Sequence, residues 1–147
     1  MKALVTGSSG FIGRHVCRIL DEDGFDVTGF DINPTPDDVR SVEGNLLDVE
    51  ALERAANGHE VICHVGAIGD VYLAGEQPDL AAAVNVTGSA NIAKVARKTG
   101  ARVVNASTWE VYGEPQYQPM DEDHPLDPDH PYTITKLAGE RLLLAAD

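Results

Sequence analysis

The sequence has 147 residues, of which 43% are hydrophobic and 24% are charged, a composition typical of one globular domain with its own core. Eleven Lys and Arg stand against 24 Asp and Glu, and the formal net charge of −13 excludes a nucleic-acid surface and disfavours an anionic membrane. Because neither a long apolar run nor a signal peptide is visible, we expect a cytoplasmic protein without a membrane span.

The first 31 residues have the pattern of a βαβ unit. An apolar run over residues 2–6 predicts a strand, and residues 11–23 carry apolar side chains at helical spacing. Gly24 is placed to end this helix, and residues 26–31 predict a second strand. The unit is complete at Asp31, where a Pro-containing turn begins.

The rest of the chain continues the alternation of strand and helix. The predicted elements are a weak strand near Val42, a helix over 48–56, a strand over 61–65, a Gly-rich loop over 66–77, a long helix over 78–99, a strand over 102–108, an acidic loop over 113–131 and a helix over 132–146. Nearly continuous apolar strands between helices indicate a parallel sheet covered on both faces. We therefore predict an α/β fold, a doubly wound Rossmann-type sheet with strand order 3-2-1-4-5.

The turn after the first predicted strand reads Thr-Gly-Ser-Ser-Gly-Phe-Ile-Gly over residues 6–13. Glycines at 7, 10 and 13 permit a tight turn, and the N–H groups of the following helix can hold a pyrophosphate. Asp31 follows about 20 residues later, where a carboxylate binds ribose hydroxyls and repels a 2′-phosphate. The pattern predicts NAD rather than NADP, and the alternative is a glycine turn without a ligand.

Tyr132 and Lys136 lie four residues apart in the last predicted helix, so their side chains share one face. An ammonium close to a phenol favours the phenolate, which can act as a general base. Such pairs are commonly only surface contacts. In this sequence the pair is a stronger indication of a catalytic site, because Ser107 and Thr108 end a predicted parallel strand at its carboxyl end, where ligands bind in such sheets.

Taken together, these motifs resemble the extended short-chain dehydrogenases/reductases, specifically the NAD-dependent nucleotide-sugar epimerases and dehydratases. The matching segments also include Gly44-Asn45-Leu46, His64-Val65-Gly66-Ala67, Asn85-Val86-Thr87-Gly88 and residues 107–113. The resemblance implies that NAD is bound by Gly7, Gly10, Phe11, Ile12, Gly13, Asp31, Asn33, Asn45, Leu46, Val65, Gly66, Ala67, Asn85, Tyr132 and Lys136.

The same resemblance implies a reaction in which Thr108 and Tyr132 bind the sugar hydroxyl, Tyr132 takes its proton and Lys136 holds the nicotinamide ribose. Epimerisation through a transient keto-sugar is the expected outcome. Trp109 stands where related dehydratases have an Asp, which disfavours elimination of water. Glu110 matches nucleotide-sugar decarboxylases, so it is either a catalytic carboxylate for that reaction or a carboxylate that orders its loop.

The histidines have no metal-ligand spacing, and we expect no metal and a solvated acidic loop. The family's chains are about twice as long, so residues 1–147 correspond to its NAD-binding domain without the C-terminal substrate lobe. The resemblance therefore leaves two hypotheses: a nucleotide-sugar epimerase, or an NAD-binding module without turnover of its own. The leucines after Lys136 fit either core packing or a homodimer formed through the two long helices.

Overall fold

The computed structural model of the protein describes residues 1–36 and 39–146, and the end of the expected domain at Asp147 lies outside them. Its centre is a parallel sheet with the order β3-β2-β1-β4-β5, as predicted. The strands are β1 (Lys2–Thr6), β2 (Asp26–Asp31), β3 (Arg40–Glu43), β4 (Val61–His64) and β5 (Arg102–Asn105).

Helices connect the strands in the predicted alternation. They are α1 (Phe11–Glu22), α2 (Val49–Ala56), α3 (Val71–Glu76), α4 (Pro78–Ala81), α5 (Gly88–Thr99) and α6 (Pro131–Ala145). A π-helical segment, Ala82–Thr87, joins α4 to α5, and a 3-10 helix, Trp109–Tyr112, follows β5. None of the helices in the described part of the chain combines the length and apolarity needed to cross a membrane.

Two apolar clusters hold the layers together, one on each face of the sheet. On the first face Leu4 and Ile62 pack against Leu52 of α2 and Ile92 of α5, and all four side chains are fully buried. On the second face the strands pack against α1, where Cys17 is buried. Truncating a side chain such as Leu52 to Ala would cost about 2–5 kcal/mol. Helices therefore cover both faces, as predicted.

Three local predictions were wrong in detail. The predicted loop over 66–77 contains α3, which begins because the Asp70 carboxylate accepts hydrogen bonds from the N–H groups of Tyr72 and Leu73. The predicted strand over 102–108 ends at Asn105, since Thr108 caps the 3-10 helix instead. The predicted helix over 78–99 is divided into α4, the π-helical segment and α5.

The acidic loop is more ordered than the predicted solvated loop. His124 is only 3% exposed, and its ring packs against Tyr112 and Tyr117 at centroid distances of 5.4 and 4.7 Å. Its Nε2 atom accepts a hydrogen bond from the N–H of Gln116 at 3.0 Å. The loop therefore folds around one buried histidine, while the acidic residues around it stay exposed.

Candidate cofactor and catalytic site

The carboxyl ends of β1, β2, β4 and β5 are in register at one edge of the sheet, where the site forms. Thr6 of β1 is in register with Phe30 of β2 and with His64 of β4, and His64 is in register with Asn105 of β5. Because all the strands are parallel, their carboxyl ends and the loops that follow meet at this edge of the sheet. The glycine turn, Asp31 and the segment before the 3-10 helix are thereby brought together.

The glycine turn makes the closest backbone approach in the site. Gly7 has φ +70°, and its N–H donates to the Phe30 carbonyl oxygen at 2.9 Å. A Cβ atom on Gly7 would lie 2.6 Å from the Cα atom of Gly66, so only glycine allows the two loops to pack. Helix α1 starts at Phe11 after Gly10, which has no side chain to cap it. The helix N-terminus is thus available to an anionic group such as a pyrophosphate.

Asp31 bridges the glycine turn and the loop that follows β2. Its Oδ2 atom accepts a hydrogen bond from the N–H of Ser9 at 3.2 Å, and its Oδ1 atom accepts one from the N–H of Asn33 at 3.0 Å. The carboxylate is half-buried. The carboxylate therefore stands beside the start of α1, where dinucleotide-binding folds of this kind place an acidic residue for the adenosine ribose.

Exposed apolar side chains line the same edge. Phe11 is 74% exposed, Ile12 57%, Ile32 68% and Leu47 42%. Such residues are normally found inside, so their concentration around a polar turn indicates a surface that a ligand covers. Two of them, Phe11 and Ile12, belong to the predicted cofactor contacts.

The other predicted contacts near β3 and β4 occupy different environments. Asn45 is exposed, and its Oδ1 atom accepts a hydrogen bond from the N–H of Leu47. Leu46 is instead part of the core and packs against Gly66 and Gly88. Gly66 is buried, and its neighbours Val65 and Ala67 are half-buried.

Lys136 is the buried cation of the site. Its side chain is only 8% exposed, and the Nζ atom donates a hydrogen bond to the Ala106 carbonyl oxygen at 2.6 Å. Burial lowers the pKa of Lys136, while the Glu140 carboxylate acts in the opposite direction. Ser107 Oγ donates to Glu140 Oε2 at 2.5 Å, so the segment after β5 is tied to α6 at two points.

The predicted catalytic hydroxyls lie on the two elements joined in this way. Thr108 is two residues beyond Ala106, and its Oγ1 atom accepts a hydrogen bond from the N–H of Glu110 at 3.3 Å. Tyr132 is half-buried in the first turn of α6, and its ring stacks on His130 at a centroid distance of 6.1 Å. Glu110, also half-buried, lies in the 3-10 helix. The sequence did not reveal the Ala106 and Glu140 contacts, which depend on packing between distant segments.

Asn85 is buried in the π-helical segment, with 2% of its surface exposed. Its Nδ2 atom donates to the Ile68 carbonyl oxygen at 3.1 Å and to Thr135 Oγ1 at 3.0 Å, and its Oδ1 atom accepts from the Ile68 N–H at 2.7 Å. These bonds go to protein groups rather than toward the open edge of the site. Within residues 1–36 and 39–146, no group of three or more His, Cys, Asp or Glu side chains is arranged to hold a metal ion.

The fold and the site define a dinucleotide-binding α/β domain. A family model described as the NAD dependent epimerase/dehydratase family matches residues 3–147. The chain therefore belongs to this family, as the motifs predicted, and NAD is the cofactor by which the family is defined.

Individual proteins give the same result. A putative UDP-glucose 4-epimerase of Methanocaldococcus jannaschii is 36% identical over 95% of this chain and 49% of its own length. The structure of a short-chain dehydrogenase/reductase superfamily protein from Agrobacterium tumefaciens with bound NAD is 40% identical, with a TM-score of 0.90, and the match covers 97% of this chain and 44% of that one. A Thermotoga maritima UDP-glucose 4-epimerase with UDP-glucose has a TM-score of 0.91 at 30% identity, over 99% of this chain and 51% of that one. The chain thus spans about half the length of these relatives.

Proposed function

We propose that residues 1–147 form an NAD-binding domain of a nucleotide-sugar epimerase-like oxidoreductase. The observation that carries the proposal is the meeting of the glycine turn, Asp31 and the Lys136 side chain at one edge of the sheet. The crowding of Gly7 against Gly66 supports a backbone that approaches a ligand closely. The exposed apolar side chains of Phe11 and Ile12 support a ligand that covers them.

In this proposal the cofactor is held by the groups that the site presents. The N-terminus of α1, at Gly10 to Gly13, holds the pyrophosphate, and the Asp31 carboxylate accepts hydrogen bonds from the adenosine ribose. Lys136 binds the nicotinamide ribose, and Asn33, Asn45, Val65 and Ala67 complete the contacts. The negative charge of Asp31 disfavours the 2′-phosphate of NADP.

The proposed chemistry is oxidation of a sugar carbon followed by its reduction. Bound NAD would supply the hydride acceptor and donor for oxidation of the carbon that bears the hydroxyl and for its later reduction. Thr108 donates or accepts a hydrogen bond at that hydroxyl, and Tyr132 removes its proton as the C–H bond breaks. Tyr132 would return the proton to the oxygen when the carbonyl is reduced, and reduction on the opposite face would invert the stereocentre.

Calorimetric titration of the chain with NAD and NADP tests cofactor binding. We expect binding of NAD and weaker binding of NADP, and no binding of NAD at millimolar concentration would refute the proposal. Turnover is tested by incubating the NAD-loaded chain with UDP-, GDP- and dTDP-sugars and identifying the products. An epimerised sugar that disappears in Tyr132→Phe supports the epimerase, whereas carbon dioxide released from a UDP-uronic acid favours a decarboxylase that uses Glu110.

A second candidate is an NAD-binding module without turnover, and the open edge of the sheet favours it. Strand β5 is at the edge of the sheet in the described chain, and Val104 is 51% exposed there. A groove of about 880 Å³ beside it is lined by β5, α5 and α6. Contacts remote from the reacting atoms supply much of the binding energy used in catalysis. Binding of NAD without any product from the sugar panel would support this candidate.

The homodimer is a further part of the proposal. Leu142 of α6 is 41% exposed and lines a shallow, mainly apolar surface between α5 and α6. Apolar helix faces of this kind commonly pack on a second copy. We expect a dimer by light scattering after gel filtration and a monomer for Leu142→Glu. A monomeric parent chain would refute this part alone.

A further inference from the structure

A continuous line of buried hydrogen bonds starts beside the glycine turn. The N–H of Gly66 donates to Thr6 Oγ1 at 3.2 Å, and Thr6 Oγ1 lies 2.8 Å from His64 Nδ1. On the other side of the ring, His64 Nε2 lies 3.2 Å from Ser89 Oγ, which donates to the Asn85 carbonyl oxygen at 2.6 Å. The line thus reaches the π-helical segment from the end of β1, and the side chains of Thr6, His64 and Ser89 are all at least 95% buried.

The direction of every bond in this line follows from the donors available. Ser89 gives its single hydroxyl hydrogen to Asn85, so in the contact with His64 the imidazole Nε2–H must be the donor. Burial lowers the pKa of His64 to about 3, so the ring is neutral and its Nδ1 atom accepts the hydroxyl hydrogen of Thr6. All the bonds point the same way, which lets each strengthen the next.

The side chain of Asn85 connects this line to α6. Its amide holds both backbone groups of Ile68, in the loop after Gly66, and donates to Thr135 Oγ1. Thr135 Oγ1 in turn donates to the Tyr132 carbonyl oxygen at 2.9 Å. A Cβ atom on Gly139 would lie 2.6 Å from the Asn85 carbonyl oxygen, so α6 passes directly against the π-helical segment.

We propose that Thr135, held by the Asn85 amide, is a positioning residue that sets Tyr132 and Lys136 in place against the cofactor loop at Gly66–Ile68. The hydrogen bond from Asn85 Nδ2 to Thr135 Oγ1 joins residues 50 positions apart. It links the residue that holds the loop after Gly66 to α6, the helix that bears both Tyr132 and Lys136. Only 7% of the surface of Thr135 is exposed. Thr135 therefore acts through α6 rather than by contacting a ligand. This inference rests on the proposed binding of NAD by Lys136.

The test compares Thr135→Val, which has nearly the same shape but lacks the hydroxyl, with Thr135→Ser, which retains it. Calorimetric titration with NAD should show affinity about tenfold lower for Thr135→Val and within about twofold of the parent for Thr135→Ser. Thr99→Val is the matched control: Thr99 also donates from Oγ1 to a carbonyl of its own helix, but at the far end of α5. We expect Thr99→Val to bind NAD like the parent chain.

A double-mutant cycle with Lys136→Met separates positioning from general weakening of the fold. If Thr135 acts through Lys136, Thr135→Val should reduce NAD affinity about tenfold in the parent chain and by less than about twofold in Lys136→Met. Equal reductions in both backgrounds would overturn the inference, as would unchanged affinity in Thr135→Val. Failure of the parent chain to bind NAD would instead refute the proposed function on which the inference rests. Denaturation curves confirm that each variant is folded at the titration temperature.

Discussion

The Lys136 ammonium and the Ala106 carbonyl oxygen are joined by a hydrogen bond of 2.6 Å inside the protein. The bond ties α6 to the residue that follows β5, and Thr108 lies two residues beyond Ala106. A buried cation needs such a partner, because an unpaired charge in the interior is costly. One side chain therefore serves both the packing of α6 and the proposed binding of the nicotinamide ribose.

Lys136→Met should weaken NAD binding by roughly tenfold, since it removes the charged donor but retains much of the side-chain volume. The free energy of unfolding should change by less than about 2 kcal/mol, because relief of the buried charge offsets the lost hydrogen bond. Calorimetry with NAD and urea denaturation measure the two effects. Lys94→Met, at an exposed position on α5, should change neither. Unaltered NAD affinity in Lys136→Met would contradict the role assigned to the ammonium.

Asp31→Asn should lower NAD affinity roughly tenfold and reduce the preference for NAD over NADP. The carboxylate beside Ser9 is the negative charge that repels a 2′-phosphate, and the amide removes it. Parallel titrations with both dinucleotides give the ratio directly. Asp26→Asn, at the opposite end of β2, is the control for the loss of one carboxylate from the same strand. An unchanged ratio in Asp31→Asn would show that another group selects the cofactor.

Gly7→Ala and Gly24→Ala separate backbone conformation from crowding. Both glycines have positive φ, at +70° and +82°, but an added Cβ meets Gly66 at 2.6 Å in the first case and nothing within 4 Å in the second. Gly24→Ala should therefore cost about 1 kcal/mol of unfolding free energy. Gly7→Ala should cost more, by at least about 1 kcal/mol, because the Gly66 backbone must move. Urea denaturation at one temperature compares them, and equal losses would mean that the two loops are not in contact.

His64 makes the stability of the protein depend on pH in a defined window. Burial lowers its pKa from the ordinary 6.5 to about 3. Between these values the unfolded chain binds a proton at His64 and the folded chain does not, so the stabilising effect of neutral His64 is complete above pH 6.5 and is lost as pH falls. The slope should approach about 1.4 kcal/mol per pH unit.

The measurement is the difference in unfolding free energy between the parent chain and His64→Gln from pH 7 to pH 4. The difference should shift in favour of the variant as the pH falls, and a constant difference would contradict the buried neutral imidazole. The nitrogen chemical shifts of the ring provide a second check. They should show hydrogen on Nε2 and a bare Nδ1 at pH 7, as the donors around the ring require.

Much of the fold could be predicted from the sequence, because most of its strands and helices depend on residue patterns within a few positions of one another. The βαβ unit is recognisable from an apolar strand, a glycine turn, a periodic helix and a glycine at position 24, which has the positive φ expected at a helix end. The short helix α3 was missed because it is only six residues long, contains Gly75 and follows Gly69 closely. Its start depends on one carboxylate, that of Asp70, which sequence periodicity does not register.

The sequence alone determined the strand order, the position of the glycine turn and the spacing from it to Asp31, and the placement of Tyr132 and Lys136 four residues apart on one helix. The strand order follows from the handedness of βαβ crossovers, and the other features depend on glycine conformation and helical periodicity, which act over a few residues. Only the tertiary structure decided which groups satisfy the buried polar atoms. The bonds from Lys136 to Ala106, from Asn85 to Thr135 and from Thr6 to His64 join residues 30, 50 and 58 positions apart. A buried donor or acceptor must find a partner wherever packing places one, and packing follows from the whole chain.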